Sequence, residues 1–371
     1  MTLIENAPLQ SAPTRAAASG STAPEFDHER VLVVTGRRSG LTIIVAVHST
    51  RLGQALGGCR VWHYDDWQDA LADALRLSAA MTLKNAAAGL QRGGGKAVIH
   101  IPRGTQLTEE GLHAAMLDLG DAVESLDGAY MTAEDVGTSA ELMAVVALRT
   151  AHVCGLPAAQ GGVGEPADAT AAGVFAAIGS TLDALDGSRD VAGKHVVISG
   201  LGQVGGRLAR ALAAGGARLT VTDVADSKKA LAAELGARWV EPEDAHRVDA
   251  DLFVPCGLGG ALTPGVIDEL RVRGVVGAAN NQLATRDCAR RLTDRGILWA
   301  PDFVANGGGV IYLDGASEAD PDLDAIARRV DAIGDTVTAI FREAAASGST
   351  TLAAAERIAA ARLNAQDVTA N

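Results

Sequence analysis

The chain has 371 residues, too many for one ordinary hydrophobic core, and suits two domains. Hydrophobic content of 48% with 43 glycines and 3% aromatics fits a soluble α/β protein with many tight turns, and no apolar run reaches membrane-spanning length. A formal net charge of −13 disfavours nucleic acid or an anionic membrane surface as partner, and four scattered cysteines with no C-x-x-C pair give no metal site and fit free thiols in a reducing cytosol.

The first stretch, MTLIENAPLQSAPTRAAASGSTAPEF, lacks the basic region and apolar core of a secretory signal; its Ala/Ser/Pro/Thr bias predicts a disordered tail over residues 1–25 and a cytoplasmic protein. VLVVT (31–35) and TIIVAVH (42–48) are β-rich runs joined by a hairpin connection at 36–40. LGGCR (56–60) reads as a glycine turn leading to Asp65 and Asp66, both candidate N-caps. From Trp67 the apolar residues follow a helical period to about Ala88, which delivers Lys84 near the C-terminal end. Then come Gly93, Gly94, Gly95 and Lys96, followed by a short apolar strand, AVIHI (97–101).

Two lysines twelve residues apart in an apolar, glycine-rich run invite a chemical reading. Glycines let backbone approach closely, and a poorly solvated lysine has a lowered pKa and can act as a base. The plainer alternative is a glycine turn with two surface lysines. A phosphate-cradling P-loop fails on spacing, because position 90 is Leu and Ala97 stands where Ser or Thr must follow the lysine. Residues 108–126 are again helical in period, and AYMTAEDVGT (129–138) is a strand running into a polar turn. Asp135 sits at that strand end, where α/β folds place chemistry. Taken alone it reads first as an N-cap for the helical run 139–148 and second as a catalytic acid.

Residues 160–164 look like a linker and 170–185 like an Ala-rich helix, after which the chain alternates strand and helix. HVVIS (195–199) is followed by Gly200-Leu201-Gly202-Gln203-Val204-Gly205-Gly206, a helix at 207–214 and the strand RLTVTD (218–223). This is G-x-G-x-x-G in its strand–turn–helix setting, with Asp223 lying 23 residues past the first glycine. Such a unit binds a dinucleotide, and an acid at that place accepts from the ribose hydroxyls, favouring NAD over NADP even with Lys228 and Lys229 nearby. DLFVPC (251–256), GVVGAANN (274–281) and ILWAP (297–301) are further strands ending in small or polar residues. Asn280, Asn281 and Asn306 lie at such ends, able to donate to a carboxylate or carboxamide, or simply to cap and turn. Residues 323–363 read as two helices, the first being AIARRVDAIGDTVTAIF with an apolar stripe.

Together, GGCR, MTLKNAAAGLQRGGGKAVI, TAEDVGT, GLGQVGG, GAANNQLA and APDFVANGGGV resemble the amino acid dehydrogenases acting on glutamate, leucine, phenylalanine and valine, most of all the smaller leucine/valine/phenylalanine branch. The resemblance covers roughly residues 26–363. It implies an α/β fold of two domains with the active site in the cleft between them: a mixed-sheet substrate domain (26–151), a Rossmann domain (152–325) and C-terminal helices (326–371) returning to the first. By motif, Lys84 is similar to the lysine that holds the substrate α-carboxylate, Lys96 to the catalytic lysine, and Asp135 to the aspartate that shuttles the amino proton. Gly57 and Asn280 would lie beside the substrate. Thr170, the glycine-loop residues Gly200, Gly202, Gln203, Val204 and Gly205, together with Asp223, Cys256, Asn281 and Asn306, would face the cofactor.

The family's side-chain pocket falls on Leu56, Ala133, Val310 and Leu313, all apolar. Glutamate-specific relatives carry a lysine where this chain has Leu56, so a distal carboxylate would be buried without a partner. Leu56, Ala133 and Val310 look like the leucine and valine enzymes, whereas Leu313 resembles the phenylalanine type. The resemblance therefore implies NAD-dependent oxidative deamination of a branched-chain L-amino acid to the 2-oxo acid, ammonia and NADH, with an aromatic substrate as the alternative. It also implies a homo-oligomer. A catalytically silent NAD-binding protein would have no physical reason to retain Lys84, Lys96 and Asp135, and a 2-hydroxy acid enzyme would want a catalytic histidine. The N-terminal extension and the segment DGASEADPDLD after Leu313 depart from the family pattern.

Overall fold

The computed structural model of the chain describes residues 27–157, 159, 166–316 and 321–365; the expected tail, the linker at 160–164 and part of the 314–324 segment lie outside these residues. β1 (Arg30–Thr35) and β2 (Thr42–Ser49) form the expected antiparallel hairpin. They are followed by β3 (Ala55–Tyr64), α1 (Trp67–Ala87), β4 (Gly93–Pro102), α2 (Glu109–Glu124), β5 (Tyr130–Glu134) and α3 (Ala140–Val146). The strands make a mixed sheet in the order β1-β2-β4-β3-β5, with β4, β3 and β5 parallel and β1, β2 and β4 antiparallel. Alternate residues of β2 explain its continuous apolar run: Ile43, Val45 and Val47 pack towards α2, whereas Ile44 and Ala46 pack towards α1.

Two glycine stretches differ from expectation. LGGCR is not a turn but part of β3, and the glycine triplet with Lys96 lies inside β4. These glycines are there for close packing. A side chain on Gly57 would strike the Gly95 carbonyl, one on Gly94 would strike the Thr82 backbone of α1, and one on Gly95 would enter the Tyr130 ring. The helix carrying Lys84 can thus lie directly on the strand carrying Lys96. Its start is set by Asp66, whose side chain accepts from Asp69 N at 2.9 Å, a cap contributing about 1 kcal/mol.

The second half begins with α4 (Ala167–Asp186), followed by β6 (His195–Ser199), α5 (Gln203–Ala214), β7 (Arg218–Thr222), α6 (Lys229–Glu234) and β8 (Arg238–Trp239). Next come β9 (Leu252–Pro255), α7 (Pro264–Glu269), β10 (Gly274–Val275), α8 (Asp287–Asp294), β11 (Leu298–Trp299), α9 (Asp302–Ala305) and α10 (Gly308–Ala316). The sheet is parallel throughout, in the order β11-β10-β9-β6-β7-β8. The chain therefore winds outward in both directions from β6 and β9, and ligands of such sheets bind at the strand C-termini beside that switch point.

The C-terminal region forms three helices, not two: α11 (Leu323–Asp331), α12 (Ile333–Ser347) and α13 (Thr351–Ala365). The run read as one helix breaks at Ala332, two residues before Gly334, which sits against α4 and whose carbonyl accepts from Ser180 Oγ at 2.8 Å. α11 and α12 pack on α4, whereas α13 packs on α12 and crosses to α1. There Arg362 Nη1 donates to the Ala86 carbonyl at 2.9 Å and to that of Ala87, closing the last turn of the helix that holds Lys84. Among the described residues no helix is long and apolar enough to cross a membrane.

Candidate active site

A cavity of about 310 Å³ lies between the two domains and is lined from both. From the first domain α1 contributes Leu77, Ala80, Met81 and Lys84, one helical face at spacings of three and four. β3 contributes Leu56, Gly57, Gly58 and Arg60; β4 contributes Lys96; and the end of β5 contributes Ala133 and Asp135. Thr170, Val204, Asn280, Asn281, Asn306, Val310 and Leu313 line it from the second domain.

Lys96 is only 5% exposed, and its Nζ stands 2.9 Å from Asp135 Oδ2. The same oxygen accepts from Arg60 Nε at 3.1 Å. Burial alone would raise the Asp135 acid, but the charges of Lys96 and Arg60 outweigh it and hold the carboxyl below its usual range. The alternative of an N-cap is filled by another residue, since Ser139 Oγ accepts from Leu142 N at the start of α3. The turn is fixed instead by Thr138, whose Oγ1 accepts from Asp135 N (2.8 Å) and donates to the Cys59 carbonyl (3.0 Å).

Burial pushes the Lys84 amine down to about 8; the carboxylate of Asp302 opposes this, the charge of Lys96 adds to it, and Asp135 opposes it again. Lys84 Nζ is 3.5 Å from Asn280 Oδ1. Asp302, not singled out in the sequence, is itself buried, which raises its acid. One of its oxygens accepts from Asn281 N at 2.5 Å and steadies a loop in which Asn281 has φ +52°. Asn306 Nδ2 donates to Asn280 Oδ1 (2.8 Å) and to the Ala278 carbonyl (3.0 Å), while its own Oδ1 is buried with no partner among the described residues.

Gly200, Gly202, Gln203, Gly205, Asp223 and Cys256 lie beyond the cavity lining, at the C-terminal edges of β6, β7 and β9. Gly200 takes φ +105°, and a side chain on Gly205 would strike its carbonyl. The helix α5 starts at Gln203, four residues earlier than the sequence suggests, and its first turn has no side-chain cap. Open N–H groups at such an end suit a pyrophosphate. Asp223 accepts from Leu201 N (2.6 Å) and Ala225 N (2.9 Å), which fixes its carboxylate, and each oxygen keeps room for a further donor. The orphaned Asn306 oxygen, meanwhile, is an acceptor suited to an amide N–H. These features fit a nicotinamide dinucleotide lying from the switch point into the cleft.

The sequence reading missed Arg60, Asp302 and the α1 face at Leu77 and Met81. The face was recoverable from helical spacing to Lys84. Arg60 and Asp302 lie within the quoted stretches GGCR and APDFVANGGGV, but nothing local assigns them a role, because Asp135 and Lys84, the groups they act on, lie elsewhere in the chain.

The model for the dimerisation domain of Glu/Leu/Phe/Val dehydrogenases matches residues 28–152, and that for glutamate/leucine/phenylalanine/valine dehydrogenase matches residues 161–241 and 224–367. The chain is 38% identical over 341 residues to leucine dehydrogenase of Geobacillus stearothermophilus, covering 91% of each chain. It is 40% identical over 342 residues to valine dehydrogenase of Streptomyces virginiae, covering 91% of this chain and 94% of that one. Phenylalanine dehydrogenases match at comparable identity. Among solved structures, L-tryptophan dehydrogenase from Nostoc punctiforme superposes with a TM-score of 0.79 at 35% identity, over 92% of this chain and 97% of that one. With both halves matched and a cleft that suits the chemistry, the chain belongs to the Glu/Leu/Phe/Val dehydrogenase family, in its leucine/phenylalanine/valine branch, and is an amino acid dehydrogenase served by a nicotinamide dinucleotide.

Proposed function

We propose that the chain catalyses the reversible, NAD-dependent oxidative deamination of a branched-chain L-amino acid to its 2-oxo acid, ammonia and NADH. The observation that carries this reading is the Lys96–Asp135 pair at 2.9 Å beside Lys84, facing an apolar quartet across one cleft. Lys84 clamps the α-carboxylate by a charge-assisted bond, which holds its amine in the charged form. Asp135, held ionised by Lys96 and Arg60, takes the proton of the substrate amino group. The dinucleotide supplies the hydride acceptor. Lys96 gives its own proton to solvent before the chemical step; the neutral amine, shielded from bulk water, then accepts a proton from the water that attacks the imine carbon of the substrate, and Asp135 returns the proton it took to the departing nitrogen.

Asp223 supports NAD over NADP, since its fixed carboxylate would repel a 2′-phosphate. Lys229, one of the two lysines that follow, is engaged by Asp226 at 2.6 Å and lies over the Trp239 ring. The same reading divides the chain into a substrate domain at 26–151, a Rossmann domain at 152–325 and C-terminal helices at 326–371, of which α13 makes the return to α1. It also takes the protein to be a cytoplasmic homo-oligomer, in keeping with the matched dimerisation-domain model and with four unpaired cysteines.

For the substrate, the quartet Leu56, Ala133, Val310 and Leu313 is 1%, 4%, 9% and 8% exposed, an apolar pocket that a distal carboxylate could enter only at high cost. Leu313 and the likeness to a tryptophan dehydrogenase favour the aromatic reading as second choice. NADH formation across a panel of L-amino acids, ranked by kcat/KM, decides between them. Leucine, valine and isoleucine should lead; if phenylalanine or tryptophan exceeds them by about tenfold, or about 1.4 kcal/mol, the aliphatic reading fails.

A further inference from the structure

Arg60 transfers no proton in the steps above and enters them only through its charge beside Asp135, yet its guanidinium is divided between two carboxylates. Nε donates to Asp135 Oδ2 at 3.1 Å and Nη1 to Asp73 Oδ2 at 2.9 Å. Asp73 is fixed in turn, accepting from Tyr64 OH at 2.8 Å and from Arg76 Nη2 at 2.6 Å. The side chains of Arg60, Asp73 and Asp135 are 20%, 16% and 18% exposed, so these charges act where water screens them poorly. Lys96 also meets Asp135 at Oδ2, and Oδ1 accepts no hydrogen bond from the described residues. Both cations thus hold one oxygen of the carboxylate and leave the other.

We propose that Arg60 is a positioning residue for the deamination: anchored by Asp73, it holds Asp135 through Oδ2 so that Oδ1 remains to exchange the proton of the substrate amino group. The inference rests on the proposed role of Asp135. The other charged or titratable groups around that carboxylate are Lys96 on β4, Cys59 on β3 and its chain neighbour Glu134, with Lys84 and Asp73 on α1 and Asp302 across the cleft.

The test is the pH profile of kcat/KM in the complete enzyme for Arg60→Gln, Arg60→Lys, Asp73→Asn and Asp135→Asn. Removing the Arg60 cation favours the protonated, inactive form of the Lys96–Asp135 pair, so the acidic limb in Arg60→Gln moves up by about one pH unit and kcat falls at least about tenfold. Arg60→Lys keeps the charge, leaves the limb in place and recovers part of the rate, while NADH binding by fluorescence stays unchanged in both. An unmoved limb in Arg60→Gln, or Arg60→Lys no better than Arg60→Gln, overturns the inference. Asp73→Asn keeps both partners of Asp135 but frees the far end of the guanidinium. It should lower kcat severalfold, and an unchanged kcat overturns the proposal even where Arg60→Gln fails to fold. Asp135→Asn separates the two readings. If it retains turnover, the role of Asp135 falls and the inference with it; if it is inactive while the Arg60→Gln limb is unmoved, only the inference falls.

Discussion

Replacing Lys84 by methionine removes a charge while nearly preserving volume, and it should make the protein more stable and less able to bind its substrate. The Lys84 amine is pushed from 10.5 to about 8, chiefly by burial. Carrying the charge under those conditions costs the fold up to about 3 kcal/mol at 1.36 kcal/mol per pH unit. The side chain still opens onto the cleft, so that figure is a ceiling, and a gain of about 1–3 kcal/mol is expected at pH 7. The sign follows from the folded value lying below the unfolded one. The cost is complete below pH 8, shrinks as pH rises from 8 to 10.5, and is gone above that. Urea unfolding of the Lys84→Met variant and the unmodified protein at pH 7 and again near pH 9.5 reads the difference directly, provided the two share one oligomeric state. The variant should lead at pH 7 and lose most of that lead at the higher pH. The same change deprives the α-carboxylate of its partner, and a charged hydrogen bond of about 1.5–3 kcal/mol corresponds to a roughly 10- to 150-fold rise in KM. A variant less stable at pH 7, or a gap equal at both pH values, refutes the reasoning.

Lys96→Ala should lower kcat by about 10²–10⁴ while calorimetry finds NAD binding nearly unchanged, because the glycine loop lies in the other domain; retention of more than about a tenth of kcat contradicts the base role. Asp223→Ser should weaken NAD binding and improve NADP relative to NAD in steady-state assays. It should also lower the melting temperature slightly, through the lost bonds to Leu201 N and Ala225 N. Equal use of both cofactors by the unmodified enzyme would contradict this account of Asp223.

The parts of the fold legible in the sequence are those whose requirements are local. The turn at Gly200 needs a left-handed backbone, the close pass at Gly205 excludes a side chain, and the acid follows one strand later, so the dinucleotide unit can be read without tertiary knowledge. Gly57, Gly94 and Gly95 show the limit. A glycine chosen for a turn and a glycine chosen because a helix or a ring presses on the strand are the same letter, and the pressing groups, Thr82 and Tyr130, are placed only by the fold. The break at Ala332 is similarly hidden: the packing around it, with Gly334 against a hydroxyl of α4 that lies 154 positions earlier, is set only by the fold. Among the site residues, Lys84, Lys96 and Asp135 stand out through family motifs, but Arg60 finds its partner 75 positions away and no spacing rule connects them.

The four residues of the proposed side-chain pocket come from opposite sides of the cleft, Leu56 and Ala133 from the first sheet, Val310 and Leu313 from α10. Its width is therefore not a property of any one residue but of how far apart the two domains stand. A substrate side chain seated there would act as a feeler gauge: one of the right thickness would let the domains meet, and one too thick would prop them open. On the proposed assignments, propping them open would draw Thr170 and Asn306, with the dinucleotide they are proposed to face, away from Lys96 and Asp135, while Lys84 would keep its hold on the carboxylate from its own side. An ill-fitting amino acid would then bind and wait. Discrimination should then appear in kcat more than in KM, because what the wrong side chain would spoil is the alignment of the reacting atoms and not the hold on the molecule.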